Sequence, residues 1–226
     1  MVKRKKLGIL FSGGKDSMYA AFLAKKCGYG IGCLISIVSE NEDSYMFHTP
    51  SIKRVKEQAK VMGVPLVIVK TKGVKEKELL DLEKAIGIAI RDFGVGGVVT
   101  GAVESVYQAS RVEKICNKLG VECFNPLWQK DQLELLEDLV KNKFEVIIVG
   151  VFADGLNADW LGRKLNRKFI NDILKIREKN GINVAGEGGE FESFVVNCPL
   201  FQKRLKVVNG KKVGSGNSWR MEVKIK

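Results

Sequence analysis

Residues that build metal centres and disulfide frameworks are scarce in this sequence. It contains one histidine, and its five cysteines include no Cys-x-x-Cys pair. One histidine cannot form a zinc site without cysteine partners, and unpaired cysteines that lie mostly among apolar residues are typical of reduced, buried thiols. The sequence therefore argues against a structural zinc domain and against a secreted scaffold held by disulfides.

Long apolar segments are also absent. The longest uninterrupted apolar run, residues 146–153, is far shorter than the roughly 20 residues that cross a bilayer. Residues 1–6 are basic, but a short strand-like run and Ser-Gly-Gly follow them, instead of the apolar core and cleavage site of a signal peptide. We therefore expect neither a membrane-spanning nor a secreted protein, and the expected location is the cytoplasm.

Positive charge is abundant, with 38 basic residues against 26 acidic ones and a formal net charge of +12. A field of this sign favours anionic partners such as nucleotides, nucleic acids or acidic protein surfaces. A lysine-rich surface that serves only for solvation explains the composition equally well. The 226 residues, 45% of them hydrophobic, suffice for one large domain or two small ones around a sizeable core.

Strand-like and helix-like patterns alternate through the first two-thirds of the chain. Apolar runs rich in β-branched residues predict strands at 6–11, 31–38, 66–70, 97–100, 121–124 and 145–152. Apolar stripes at helical spacing lie between them, namely Ile52, Val55, Ala59 and Met62; Leu79, Leu82, Ile86, Ala89 and Phe93; and Val112, Ile115, Cys116 and Leu119. This alternation favours an α/β fold with a doubly wound parallel sheet, covered by helices on both faces.

The last third has a different pattern, which predicts a smaller C-terminal α+β domain. It predicts a helix from 165 to 179 and a looser, glycine-containing stretch at 214–217. Short strands are predicted at 191–196, 204–208 and 218–225. We place the boundary near residue 125, giving domains 1–125 and 126–226, although the strand at 145–152 fits either sheet.

The segment between the first strand and the first helix carries the clearest chemical signal. It consists of Ser12, Gly13, Gly14, Lys15, Asp16 and Ser17. Consecutive glycines let the backbone turn sharply beside a ligand, and the helix start that follows offers N–H groups and a positive dipole end to an anion. The segment predicts a phosphate-binding loop. It is not a Walker A loop, because Ile9 stands where that motif needs glycine and Asp16 where it needs Ser or Thr.

A second polar cluster follows the fourth predicted strand. Glu104, Gln108 and Arg111 lie at positions i, i+4 and i+7, so they share one face if the segment is helical. Because the carboxyl ends of parallel strands meet at one edge, we expect this cluster, with Gly101 and Tyr107, beside the first loop. Arg111 is a candidate for phosphate contact, since its guanidinium is planar and permanently charged. A polar, solvated helix face is the alternative.

The third cluster, residues 186–193, holds three glycines and three carboxylates in eight positions. Repulsion among Glu187, Glu190 and Glu192 is unfavourable unless a cation, a basic substrate or solvent compensates for it. The segment therefore indicates a site for a cationic group. A loose acidic turn before a strand is the alternative.

These motifs carry a resemblance to a known family. The loop at 12–17 resembles the PP-loop of N-type ATP pyrophosphatases, which split ATP between the α and β phosphates. With Gly-x-x-Glu-Ser-x-Tyr-Gln-x-x-Arg at 101–111, Phe-Asn-Pro-Leu-Trp at 124–128 and Gly-Glu-Gly-Gly-Glu-Phe-Glu-Ser at 186–193, the chain resembles the diphthine–ammonia ligase family from residue 7 to about 200. The PP-loop specifies only the superfamily, and the 186–193 segment points to this branch.

The resemblance implies a HUP-like fold of the adenine nucleotide alpha hydrolase type and an amide-forming ligase. Such an enzyme uses ATP, with Mg²⁺, to adenylate the carboxylate of diphthine, a modified histidine on translation elongation factor 2. Ammonia then attacks the adenylate, and AMP and pyrophosphate are released. Ammonia is expected from solution, because the length leaves no room for a glutaminase domain. A homodimer fits this interpretation, whereas a membrane or nucleic-acid partner is not expected.

The resemblance also implies roles for individual residues. The candidate catalytic residues are Lys15, Asp16, His48, Glu104, Arg111, Glu187 and Glu190. The candidate ATP-binding residues are Ser12, Gly13, Gly14, Lys15, Asp16, Ser17, Gly101, Gln108 and Arg111. The candidate substrate-binding residues are Tyr107, Trp128, Gly188, Gly189, Glu190, Glu192 and Ser193. Asp16 is the candidate Mg²⁺ ligand or a helix cap, and His48 either assists ammonia deprotonation or bonds to loop backbone.

Two other functions fit parts of the sequence. A PP-loop enzyme that modifies tRNA, by thiolation or lysidine formation, suits the positive charge, because RNA binding uses Lys and Arg contacts to phosphate. The absence of Cys-x-x-Cys pairs argues against thiolation. A nucleotide-binding protein without catalysis is the third alternative, and the presence of Asp16 and the glutamates argues against it.

Overall fold

Five parallel strands form the larger sheet of the computed structural model, which describes residues 4–39, 54–208 and 210–226. They are β1 (Lys6–Leu10), β2 (Gly30–Ser39), β3 (Leu66–Thr71), β4 (Gly97–Val99) and β5 (Glu122–Phe124). The order across the sheet is β3-β2-β1-β4-β5. The direction of winding reverses between β1 and β4, and ligands bind at such a switch point in doubly wound folds. The predicted fold class is confirmed.

Four helices connect these strands and bury the predicted apolar stripes. They are α1 (Lys15–Lys26), α2 (Val55–Met62), α3 (Glu78–Phe93) and α4 (Val106–Lys118). The fully or nearly buried positions include Val55, Ala59 and Met62; Leu82, Ile86 and Ala89; and Val112, Ile115 and Cys116. Ile52 lies outside the described residues. Within the described ranges, no helix has the length and apolar character needed to span a membrane.

The rest of the chain builds a second, antiparallel sheet. Its strands are β6 (Glu145–Val151), β7 (Phe191–Asn197), β9 (Lys212–Ser215) and β10 (Ser218–Met221), in the order β7-β6-β10-β9. A two-stranded ribbon joins β8 (Val207–Val208) to β11 (Lys224–Ile225). The helices here are α5 (Gln132–Lys141), a 3-10 turn (Ala158–Trp160) and α6 (Arg167–Asn180).

The structure assigns β6 to a sheet and corrects two predictions, one about a strand and one about a loose stretch. β6 belongs to the second sheet, where Ile147 pairs with Phe194 of β7. The single strand predicted at 218–225 is wrong, because the chain forms β10 and β11 in different sheets. The stretch at 214–217 is not wholly loose, since its first two residues belong to β9. Periodicity could not reveal either feature, because hydrogen-bonded pairing with another strand defines both β9 and β11.

One apolar core connects the two sheets. It runs from Leu7 and Ile9 of β1 through Met18 of α1 to Ile148 of β6 and Phe194 of β7, all of them fully buried. The division of the chain near residue 125 stays a prediction.

A polar clamp accompanies this apolar contact. Gln58 of α2 is fully buried, and its side-chain amide donates to the carbonyl oxygens of Gly13 at 2.9 Å and Val195 at 2.8 Å. The backbone N–H of Val195 also donates to the Gly13 carbonyl, at 3.1 Å. Gln58 therefore fastens the loop after β1 to strand β7 of the other sheet.

Replacing Gln58 by methionine keeps its length but removes its two donated hydrogen bonds. A buried acceptor that loses its donor costs about 1–3 kcal/mol, and the Gly13 carbonyl oxygen keeps the Val195 N–H, so the free energy of unfolding should fall by about that amount. Gln202→Met, at an exposed position, should change it by less than about 0.5 kcal/mol. Denaturant titrations of the three proteins measure the difference, and equal stabilities would show that the clamp contributes nothing.

Candidate active site

A cavity of about 560 Å³ opens where β1 and β4 end. All three sequence clusters contribute to its wall: the loop after β1, the segment after β4, and residues 186–189 with the start of β7. The expected position of the second cluster beside the loop after β1 is confirmed for Gly101 and Gln108, and the third cluster joins them in the same wall. Two sheets supply the wall, because β7 belongs to the antiparallel sheet and the other segments to the parallel one.

The loop after β1 is held in a tight turn by its own hydroxyl groups. The Ser12 Oγ accepts a hydrogen bond from the Gly14 N–H, and the Ser17 Oγ accepts one from the Ser12 N–H, both at 3.3 Å. Gly13 has a φ of +81°, and the Gln58 side chain occupies the place of a β-carbon at this position. Only glycine fits both constraints, so the turn depends on this residue type.

The start of α1 points its dipole at the cavity. Gly14 is the N-cap residue and provides no side-chain cap. The Lys15 N–H donates to the Ser193 Oγ at 3.1 Å, which joins the helix start to β7. A helix N-terminus with this exposure to a cavity favours an anion such as phosphate.

Lys15 is the central charge of the cavity, although only 3% of the residue is exposed. Its Nζ lies 2.8 Å from both carboxylate oxygens of Asp16 and 3.6 Å from the Glu187 Oε1. Burial by itself lowers the pKa of Lys15, but the carboxylates of Asp16 and Glu187 outweigh it, so that its pKa is raised. Lys15 therefore stays protonated at neutral pH and presents a cation to an incoming ligand.

Two carboxyl groups of the cavity wall have raised pKa values. Burial raises the pKa of Glu187 to about 7, the nearby Asp16 and Glu104 carboxylates act in the same direction, and Lys15 opposes them. Burial raises the pKa of Glu192 to about 8, and Arg220 opposes this shift. Carboxyl groups with such shifts inside a cleft are candidates for proton transfer at neutral pH.

Glu190 lies outside the cavity wall, unlike its two neighbours. Its carboxylate accepts hydrogen bonds from the Asn183 N–H and the Gly188 N–H, each at 2.9 Å. The structure thus places Glu190 as a brace of the turn that carries Glu187. Gly188 and Gly189 lie in the cavity wall beside this turn.

The shared helical face predicted for Glu104, Gln108 and Arg111 is wrong. α4 begins at Val106, and Ser105 caps it by accepting a hydrogen bond from the Gln108 N–H at 3.3 Å. Glu104 therefore precedes the helix, because a capping residue has non-helical backbone geometry. Gln108 lies in the cavity wall.

Arg111 lies outside the cavity wall and forms a surface cluster with Tyr107. The Arg111 guanidinium donates to the Glu76 Oε1 at 2.6 Å and stacks at 3.4 Å from the centroid of the Tyr107 ring. The Tyr107 hydroxyl donates to the same oxygen at 2.9 Å, and the hydrogen bond from Arg111 lowers the pKa of Glu76. Trp128 is half-buried and also lies outside the wall. His48 lies outside the described residues.

Thr100 supports the cavity but was not singled out in the sequence. It follows β4 directly in the cavity wall, and its hydroxyl donates to the Asn125 Oδ1 at 2.8 Å and accepts from the Ala102 N–H at 3.0 Å. A β-carbon on Gly101 would lie 2.7 Å from the Ser17 N. The end of β4 is therefore pressed against the phosphate-binding loop. The polar threonine at the end of an apolar strand was the available signal.

The carboxylates of the cavity suit a nucleotide-bound Mg²⁺ better than a resident metal. In the described part of the chain, no group of three or more His, Cys, Asp or Glu side chains could hold an ion. Mg²⁺ in phosphoryl-transfer sites commonly takes one or two protein carboxylates and completes its shell with phosphate and water. Asp16, which lies in the cavity wall, fits that limited role.

The pH dependence of stability should reveal the buried carboxyl of Glu192. Its pKa of about 8 in the folded chain lies above its ordinary value of 4.5. The folded protein therefore binds more protons than the unfolded chain between these values, and this contribution to stability is lost as the pH rises through about 8. Because Glu192→Gln cannot ionise, its stability relative to wild type should increase between pH 5 and pH 9, roughly the window that the shift defines.

Urea titrations across this range measure the effect. Glu187 contributes equally to both proteins and cancels in the comparison. Glu178→Gln, at an exposed position of α6, should differ from wild type by a constant amount. A constant difference for Glu192→Gln as well would contradict the burial of this carboxyl.

Comparison with known proteins agrees with this geometry. The family model for the diphthamide synthase N-terminal domain matches residues 5–123, and the model for the C-terminal domain matches residues 131–225. The diphthine–ammonia ligase of Bos taurus is 33% identical over 224 residues, which cover 89% of this chain and 82% of that protein. The Homo sapiens diphthine–ammonia ligase is 32% identical with the same coverage.

A more distant relative bears on the tRNA alternative. The tRNA-5-methyluridine(54) 2-sulfurtransferase of Pyrococcus horikoshii is 37% identical over 79 residues, only 33% of this chain and 23% of that protein. By contrast, the two family models together match nearly the whole chain. The chain therefore belongs to the diphthine–ammonia ligase family.

Proposed function

We propose that this chain is an ATP-dependent ligase that adenylates the carboxylate of diphthine on translation elongation factor 2 and converts it to the amide with ammonia. AMP and pyrophosphate are the other products. One observation carries this proposal: in a member of this family, a buried lysine and a helix start face the same cavity as an acidic, glycine-rich turn. The lysine and the helix start suit a polyphosphate, and the acidic turn suits a cationic substrate such as diphthine.

The loop after β1 serves the first half of the reaction. When a substrate carboxylate oxygen attacks the α-phosphorus of ATP, the bond between the α-phosphorus and the bridging oxygen breaks, and pyrophosphate leaves with the electron pair. Lys15 and the start of α1 stabilise the charge that accumulates on the leaving group. Asp16 would hold Mg²⁺, which neutralises part of the phosphate charge.

The acidic turn serves the second half. Ammonia forms a bond to the acyl carbon, the bond from that carbon to the phosphate oxygen breaks, and AMP leaves. The attacking nitrogen must lose a proton, and Glu187, with a pKa of about 7, can accept it near neutral pH. Glu192 and the Phe191 ring, both in the wall, suit the quaternary ammonium group of diphthine, because a cation bound there favours the ionised form of the Glu192 carboxyl.

The tRNA alternative has weaker support in this cavity. All five cysteines lie in the described ranges and are free thiols, and none of them lines the cavity. Sulfur transfer that uses a cysteine persulfide needs such a thiol next to the activated substrate. The ligase reaction needs none, so the wall fits it better.

Turnover of the protein substrate tests the proposal directly. The chain is incubated with ATP, Mg²⁺, ammonium and elongation factor 2 that carries diphthine. We expect AMP, pyrophosphate and the mass change of an acid to an amide. Lys15→Met should lower kcat by about 100-fold or more, because it removes the charge that faces the leaving group. ADP as the product, or AMP release that depends on tRNA, would contradict the proposal.

Substitution of two neighbouring glutamates separates proton transfer from support. Glu187→Gln should lower kcat by about 100-fold and abolish the rise in rate through pH 7, because the amide cannot accept a proton. Glu190→Gln exchanges an acceptor oxygen of the brace for a donor, so it should lower kcat/KM and keep the wild-type pH profile. Rate measurements from pH 6 to pH 9 at saturating ammonia distinguish the two. Identical profiles for all three proteins would refute the role of Glu187.

A further inference from the structure

The end of the chain carries most of the surplus positive charge. Residues 203–226 include eight basic residues and one acidic residue, a surplus of seven charges in a chain whose total surplus is twelve. Six lysines of this segment are exposed and form what we call the basic face: Lys203, Lys206, Lys211, Lys212, Lys224 and Lys226.

Backbone pairing brings four of these lysines close together, namely Lys206, Lys211, Lys224 and Lys226. Lys224 pairs with Val208 across the two-stranded ribbon, and the Lys226 N–H donates to the Lys206 carbonyl oxygen at 3.0 Å. The Glu222 N–H donates to the Lys211 carbonyl oxygen at 3.3 Å, so the β9–β10 hairpin continues the same surface. The charges are therefore concentrated in space as well as in sequence.

Local carboxylates do not neutralise the basic face. In the described residues, none of its six lysines forms an ion pair, and Glu222 lies 3.6 Å from the Arg54 guanidinium instead. Like charges at this density repel one another, and an anionic surface laid over them relieves that repulsion. A face used only for solvation has no need to collect them in one segment.

The basic face adjoins the cavity. β10 pairs with β6, which pairs with β7, and the first residues of β7 form part of the cavity wall. The positive charge of Arg220 on β10 lowers the pKa of Glu192 in that wall. A macromolecule bound to the basic face is therefore close to the mouth of the cavity.

The side chains of the face suit a protein better than RNA. Lysine presents a point charge on a flexible stem, and two apolar side chains, Val208 and Val213, are exposed among the lysines. Trp219 is the one aromatic residue of the segment, half-buried and hydrogen-bonded through its indole N–H to the Gly216 carbonyl oxygen, so the segment lacks the series of aromatic rings on which successive bases stack.

We propose that the basic face docks an acidic surface of the protein that carries the substrate carboxylate, and so delivers that side chain to the cavity. This inference rests on the proposed function, because it takes diphthine-bearing elongation factor 2 as the partner. Docking of this kind raises the association rate and weakens as salt screens the charges.

Charge reversal with a matched control tests the docking. The triple variant Lys206→Glu, Lys211→Glu and Lys224→Glu changes the basic face. The triple variant Lys25→Glu, Lys84→Glu and Lys114→Glu changes exposed positions on α1, α3 and α4 by the same total charge. None of these residues lies in the cavity wall. Thermal unfolding confirms that both variants fold.

Two quantities are measured: the affinity for diphthine-bearing elongation factor 2 and the rate of AMP formation. The basic-face variant should bind about 10-fold or more weakly and lose most of its salt dependence, whereas the control should bind much as the wild type does. The KM of the basic-face variant for ATP should equal that of the wild type. Equal affinities in all three proteins, or equal losses in both variants, would overturn the proposal.

The same experiment separates docking from catalysis and from RNA binding. If the wild type forms AMP and all three proteins bind the elongation factor equally well, the docking proposal fails and the proposed function stands. A wild-type protein that binds through the basic face without forming AMP refutes only the proposed function. Loss of binding to a tRNA probe, with unchanged affinity for the elongation factor, would assign the face to nucleic acid and overturn the inference.

Discussion

The buried ammonium group of Lys15 is the interaction on which the site depends. A charge removed from water is very costly unless partners surround it, and here Asp16 and Glu187 do so. Asp16 belongs to the same loop, but Glu187 comes from a turn beside the second sheet. The ion pair between Lys15 and Glu187 therefore forms only when the two sheets are in contact. An incoming polyphosphate would compete with these carboxylates for the same cation, so ligand binding and the ionisation of Glu187 are coupled.

The contact between the sheets explains why an ATP-binding fold carries a second, antiparallel layer. In a doubly wound sheet alone, the loop after β1 and the end of β4 form an open crevice. Ser193 and Gln58 attach β7 to that loop, which gives the crevice its far wall. The acidic turn then lies opposite the phosphate-binding loop. The two halves of the proposed reaction thus share one enclosed space.

Local sequence patterns predicted the parts of the molecule that local physics determines. Strand–helix alternation gave the parallel sheet, and the glycines and Lys15 gave the loop. Features created by partners elsewhere in the chain were not predictable from local patterns: β11 leaves the sheet of β10 to pair with β8, and Arg111 meets Glu76, which is 35 residues away. Glu190 shows the same limit, because composition indicated an acidic cluster but not that backbone N–H groups hold this carboxylate. The roles of His48, Tyr107 and Trp128 stay predictions.

The hydrogen bond between Lys15 and Ser193 joins residues 178 positions apart in the chain. A nascent polypeptide therefore cannot complete this pocket until Ser193 has left the ribosome and β7 has folded against the loop. Before that point, the loop lacks the wall that would enclose a triphosphate.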